Sequence, residues 1–178
     1  MTRSEVQFFP AAPFHTAKQR TIQSDSFDIV LSSHKCFQKD HMADNKFNPE
    51  FTIKDLGNSK MRFLYQYWLD IRGSRVMPSR ADLNPADIVD ILPHVSLVDV
   101  EYAPSRYKFR LVGTESVKAM GHDVTGKYLD ELPMLDRYMK GRYDWMVENK
   151  RPYIYSDKLK WSEKSFLNYS TISMPLSR

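Results

Sequence analysis

Apolar residues along the 178-residue chain change from scattered to periodic near Ser59, and that change sets its organisation. Phe63, Leu64, Tyr67, Trp68 and Ile71 recur at helical spacing and form one apolar face. Arg72 in the last turn and Gly73 just beyond it predict where that helix stops. Asn84-Pro85-Ala86-Asp87 reads as an N-cap, a proline at the first helical position and an acid in the first turn. The short helix it opens buries Ile88, Ile91 and Leu92 and ends at Pro93. Val95 to Tyr102 is rich in β-branched residues, and after a turn at residues 103–106, Tyr107, Phe109 and Leu111 alternate with Lys108 and Arg110. That pattern predicts a β-hairpin with one buried face. Thr114 to Gly121 reads as a short helix closed by glycine. Leu135, Tyr138, Met139, Trp145 and Met146 predict a longer helix over residues 133–149, with Gly141 weakening its centre by about 1 kcal/mol relative to alanine. A second hairpin, Pro152 to Trp161 and Phe166 to Met174, turns at the polar residues 162–165.

Hairpins enforce antiparallel pairing, and helices inserted between them must cover one face of the shared sheet. The predicted class is therefore α+β, with a concave space between sheet and inserted helices. Residues 1–58 show no sustained period and are expected to be a largely irregular extension; residues 59–178 are expected to be the folded domain. One short exception upstream, Phe27 to Leu31, has the composition of a strand but no hairpin partner beside it. Met42, followed by Ala-Asp-Asn-Lys, is a candidate natural start, which would make residues 1–41 an upstream extension.

Composition narrows the class. A chain 42% hydrophobic and 27% charged is globular, and 10 Tyr, 10 Phe and 3 Trp can furnish a sizeable core. The net charge of +4 forms no dense basic stripe, because residues 1–58 balance seven Lys/Arg against seven Asp/Glu, so no nucleic-acid partner is expected. Nothing approaches the roughly 18 apolar residues of a membrane span, and Phe8 to Phe14 is too short and twice broken by proline to be a secretory segment. Cys36 stands alone, which fits a reducing compartment, and the expected location is cytoplasmic.

Candidate chemistry is sparse. His34, Cys36 and His41 lack the fourth ligand and paired spacing of a zinc site, so no metal is expected. His122-Asp123 has no nucleophile in a strained turn beside it and reads as turn chemistry; His94 reads as the residue at a strand start. The six glycines build no phosphate loop or dinucleotide fingerprint. No catalytic residue is assigned, and an enzyme is not expected. Arg80 and Asp82 can brace a loop through charge-assisted hydrogen bonds. Aromatic residues are the informative surplus: Tyr107, Phe109, Tyr138, Trp145, Tyr153, Tyr155, Trp161 and Tyr169 come from elements expected to enclose the concave space, with Arg110 and Arg142 supplying charge at its mouth. Of these, seven are the candidate ligand-binding residues: Phe109, Arg110, Tyr138, Arg142, Trp145, Tyr155 and Tyr169.

Residues 64–85, from Leu-Tyr-Gln-Tyr-Trp-Leu to Asn84-Pro85, resemble a family of bacterial single-domain PAS-like proteins. So do Leu92-Pro93-His94, Phe109 to Thr114, and Gly121-His122-Asp123-Val124-Thr125-Gly126. The resemblance runs from about Met61 to Leu176. It implies a PAS-like antiparallel sheet with helices on one face and an N-terminal amphipathic helix. It further implies a non-catalytic sensory or regulatory module that binds a small ligand, signalling proteins or a second copy of itself; the alternative is a protein–protein adaptor or dimerisation module with a filled core. Phe63, Trp68 and Ile71 are the candidate interface. Light-sensing relatives use a cysteine inside the domain and haem-binding relatives a histidine on the long helix; residues 59–178 hold no cysteine and residues 133–149 no histidine, so neither flavin nor haem is expected. In the family a last strand pairs between the first and the fourth, and this chain reaches Arg178 without it. The sheet is thus expected to have an empty central place, with the chain a fragment, a degenerate copy, or filled from elsewhere. Phe27 to Leu31 is the only upstream candidate for filling it.

Overall fold

Asn58 accepts the Lys60 backbone N–H on its side chain, and this cap opens helix α1, Ser59–Arg72. The computed structural model describes residues 30–33, 47–102, 104–158 and 168–178. Helix α1 ends at Gly73, whose φ of 57° suits a residue without a Cβ. It buries Met61, Leu64 and Trp68. The indole N–H of Trp68 donates to the Pro175 carbonyl at 2.9 Å, because a buried donor must find an acceptor. Trp68 is only 2% exposed and belongs to the core, which corrects its expected place in an interface; Phe63 stays 48% exposed and Ile71 half-buried.

Asn84 caps the next segment as expected, accepting the Ala86 N–H, but Pro85–His94 winds as 3-10 rather than α-helix, with a kink at Ile88. Strand β3, Val95–Glu101, pairs with β4, Arg106–Val112, through a register shift between Leu97 and Val98. The shift breaks the expected alternation. Tyr107 and Phe109 are buried, but Arg110 and Leu111 are both exposed. Gly113 follows at a close crossing, where a Cβ would lie 2.4 Å from the Pro93 carbonyl oxygen. Helix α2, Thr114–Met120, closes on Gly121 in the left-handed region, and α3, Pro133–Asn149, starts at its proline and ends at Lys150, also left-handed.

Strands β5, Tyr153–Lys158, and β6, Asn168–Ser173, form the second hairpin. Its turn lies outside the described residues. Two further strands come from upstream: β1, Val30–Ser33, and β2, Phe47–Asn48. All six join one antiparallel sheet in the order β2-β5-β6-β1-β3-β4. Strand β1 sets Val30 level with Ser173 and Ser96, and Leu31 level with Ile172 and Val95, so it pairs with the inner edges of both hairpins at once. The central place expected to be empty is occupied, from upstream. Residues 30–33 fall partly within the strand read at Phe27 to Leu31; residues 27–29 lie outside the described residues. The expected boundary after residue 58 therefore cuts through the folded unit, since β1 and β2 are both part of its sheet. The reason is geometric: two hairpin edges facing each other present unpaired N–H and C=O groups that only a strand can satisfy together.

Helix α1 lies against β1 and β6, and α3 against β5. Tyr153 and Ile154, which alternate across the sheet, are both buried, so its centre is covered on both faces. The C-terminal segment closes the unit: the Ser177 N–H donates to the Pro78 carbonyl at 2.9 Å, and the Arg80 N–H to the Ser177 carbonyl at 2.6 Å.

Removing residues 1–41 takes away the strand between the two hairpins. We expect a loss of at least ~3 kcal/mol in unfolding free energy from its pairing and burial, or about 10 °C in Tm for a domain of this size. Circular-dichroism melting of the shortened and full chains checks it, and an unchanged Tm would place β1 outside the stable fold.

Candidate functional site

Tyr153 and Tyr155 alternate with Ile154 along β5, and the register sets Tyr153 level with Ser173, Tyr155 with Thr171 and Asp157 with Tyr169. These residues share one face of the hairpin. Helix α3 lies over that face. Its Arg142 places the guanidinium carbon 3.5 Å from the centre of the Tyr155 ring. Tyr155 and Tyr169 are tilted against each other at 5.8 Å. Trp145, one turn along α3, meets Tyr153 edge-on at 6.2 Å and Phe47 of β2 edge-on at 5.3 Å. Tyr143 turns toward β4, 5.2 Å from the Tyr107 ring, and the Tyr107 hydroxyl donates to Asp144 at 2.5 Å.

The electrostatics of this cluster are one-sided. Burial pushes the phenols of Tyr143, Tyr153, Tyr155 and Tyr169 above the ordinary tyrosine range, while the Arg142 charge pulls each of them the other way. All four therefore remain neutral hydroxyls at physiological pH. The Arg142 Nε donates to the Tyr138 carbonyl at 2.8 Å. Its Nη2 is shielded from solvent and makes no well-formed hydrogen bond among the described residues, although the Tyr169 hydroxyl interacts with the guanidinium. The Tyr155 hydroxyl donates to Asp157 at 2.9 Å. A guanidinium among neutral phenols offers mainly donors and flat apolar faces, which suits binding rather than acid–base chemistry. Among the described residues, no group of three His, Cys, Asp or Glu is placed to hold a metal ion.

Of the seven residues expected to line the site, the structure brings Arg142, Tyr155 and Tyr169 together. Trp145 stands one turn away, and Tyr138 contributes its carbonyl. Phe109 is buried two residues along β4 from Tyr107, its N–H and carbonyl taken by Lys127 and Gly126. Arg110 lies apart from that cluster: alternation with the buried Phe109 sets it on the outer face, where it is exposed and reaches across to Asp99 of β3 at 2.8 Å. Tyr153 was expected to enclose the space, though not among the seven; Phe47 and Tyr143 were not singled out. Tyr143 continues the buried stripe of α3 between Leu135 and Met146, a signal available from spacing; Phe47 sits in a two-residue strand with no pattern of its own.

The remaining sequence candidates have structural roles. Asp123 accepts the Thr125 N–H at 2.8 Å in a tight turn, and His122 is exposed beside it. Asp82 braces the loop after α1 as expected, but its partners are the Ser79 N–H at 2.7 Å and Arg75 at 2.8 Å rather than Arg80. His34, Cys36 and His41 lie outside the described residues.

The family model of the PAS domain matches residues 57–147, just over half of the chain, from the approach to α1 into the last turns of α3. No curated protein and no solved structure matches the chain.

One polar contact couples α1 to the segment before β3. Lys60 Nζ lies 2.6 Å from His94 Nε2, and His94 Nδ1 is buried without a partner among the described residues. Burial, and then the Lys60 charge, hold the His94 pKa below its usual value of 6.5; Glu115 of α2 opposes them weakly. A histidine whose folded-state pKa is depressed contributes full stability above its unfolded pKa and loses it as pH falls toward the folded value. We expect the Tm to fall as pH drops from about 6.5 and the slope to flatten in His94→Gln. Melting curves across that window check it, and the same slope in both chains would contradict it.

Proposed function

We propose, for a chain that belongs to the PAS domain family, a sensory or regulatory role in which a small ligand binds on the inner face of the sheet. PAS domains are generally sensory or regulatory modules and generally non-catalytic. The observation that carries the ligand reading is Arg142: a guanidinium over the Tyr155 ring, with Nη2 desolvated and short of a well-formed hydrogen bond or an anionic partner among the described residues. An unsatisfied buried donor costs roughly 1–3 kcal/mol, more for a charged group, and a bound acceptor removes that cost. Ordinary core packing gives no reason to place a charge there.

In this reading the protein has no reaction of its own and no metal, haem or flavin. Its output leaves through binding, to a signalling protein or to a second copy of the chain, in the cytoplasm of a bacterium. Phe63, 48% exposed on α1, and the half-buried Ile71 are the apolar residues available for such a partner once Trp68 is assigned to the core. Among the described residues, no helix is long and apolar enough to cross a membrane.

An adaptor with a filled core is the second reading, favoured by the same exposed Phe63. Native mass spectrometry of the full chain separates the two. We expect the protein to retain a small molecule that is released on denaturation; a bare mass from freshly purified protein favours the adaptor.

A further inference from the structure

We propose that Arg142 binds the carboxylate of a small planar acid, held between α3 and the β5–β6 hairpin. The inference rests on the ligand-binding reading above and names the chemistry of its ligand. It follows from what the site can offer and what it already uses.

The face of the guanidinium is taken. Its carbon lies 3.5 Å from the Tyr155 ring centre, a contact in which the cation rests on the negative face of the ring. Stacking leaves the edge of the guanidinium, where its N–H groups point, for hydrogen bonds in the plane. The Nε on that edge is used by the Tyr138 carbonyl one turn back along α3. The Nη2 is shielded and makes no well-formed hydrogen bond among the described residues, its neighbour being the neutral Tyr169 hydroxyl, and among them no ion pair joins Arg142 to an acid. The nearby acids are engaged elsewhere: Asp144 holds Lys140 at 2.7 Å and the Tyr107 hydroxyl, and Asp157 holds the Tyr155 hydroxyl. The missing group is therefore an acceptor, and an anionic one matches the uncompensated charge.

Two features favour a carboxylate on a flat body. Guanidinium and carboxylate are both planar, and their charge-assisted hydrogen bonds are about twice as strong as neutral ones. The surrounding side chains are aromatic: Tyr155 and Tyr169 lie tilted at 5.8 Å, with Trp145 and Tyr153 meeting edge-on beyond them. Such surroundings accept a planar apolar body at low entropic cost. The phenols stay protonated and so add donors rather than competing anions.

The test compares sodium benzoate with benzamide, its neutral counterpart of nearly the same shape, by calorimetric titration into the dialysed full-length chain. Benzoate is expected to bind at least about tenfold more tightly than benzamide, the difference of one charge-assisted contact. Arg142→Gln is expected to abolish that preference, with Arg142→Lys keeping part of it. Comparison of the two compounds on the unaltered chain stands even if either variant fails to fold. Equal binding of both compounds overturns the carboxylate assignment and leaves the ligand site intact. Tighter binding of inorganic phosphate than of benzoate overturns it in favour of a tetrahedral anion. Binding of none of the three, together with a bare native mass, overturns the ligand-binding reading and this inference with it.

Discussion

Two hairpins cannot share a sheet unless something pairs with both of their facing edges. In this protein that something is β1, four residues from the upstream segment, set antiparallel to β6 on one side and to β3 on the other. Every buried backbone N–H and C=O along those edges must find a partner, and neither side chains nor water could supply them in the middle of a sheet. The β3–β4 unit and the β5–β6 unit are thereby fixed relative to each other. So are the helices they carry: α1 lies against β1 and β6, while α3 lies over β5.

That alignment is what brings the rings of the inner face together. Tyr107 approaches α3 from β4, whereas Tyr153, Tyr155 and Tyr169 approach it from the other hairpin. Helix α3 spans the two, with Tyr143 directed to one side and Arg142 and Trp145 to the other. A change in how β1 seats would move one set of rings relative to the other. The linkage also runs in reverse, since a ligand that binds one arrangement better than another shifts the balance between them. This gives a regulatory PAS domain a physical route from its interior to its surface.

Much of this was legible in the residues. The bounds of α3 follow from Pro133 and the stripe through Leu135 and Met146, and both hairpins follow from β-branched runs separated by polar turns. Three things were not. The pairing of β1 was hidden because Ser32 and Ser33 break any alternation, so only the vacancy between the hairpins pointed to it. The burial of Trp68 was hidden because it was read on one apolar face with Phe63, which stays exposed, and its acceptor, the Pro175 carbonyl, is remote in sequence. The exposure of Leu111 depends on the register shift opposite it, which periodicity along one strand cannot reveal. Arg142 was a candidate because of its place on the long helix; its seat on Tyr155 is a tertiary fact.

The most direct measurement is amide hydrogen exchange resolved over Val30–Ser33. If these residues form the central strand, their amides exchange as slowly as those of Asn168–Ser173 in β6, because both open only with the sheet. Exchange at the rate of an unstructured peptide, beside a protected β6, would contradict the placement of β1 and with it the alignment on which the arginine site depends.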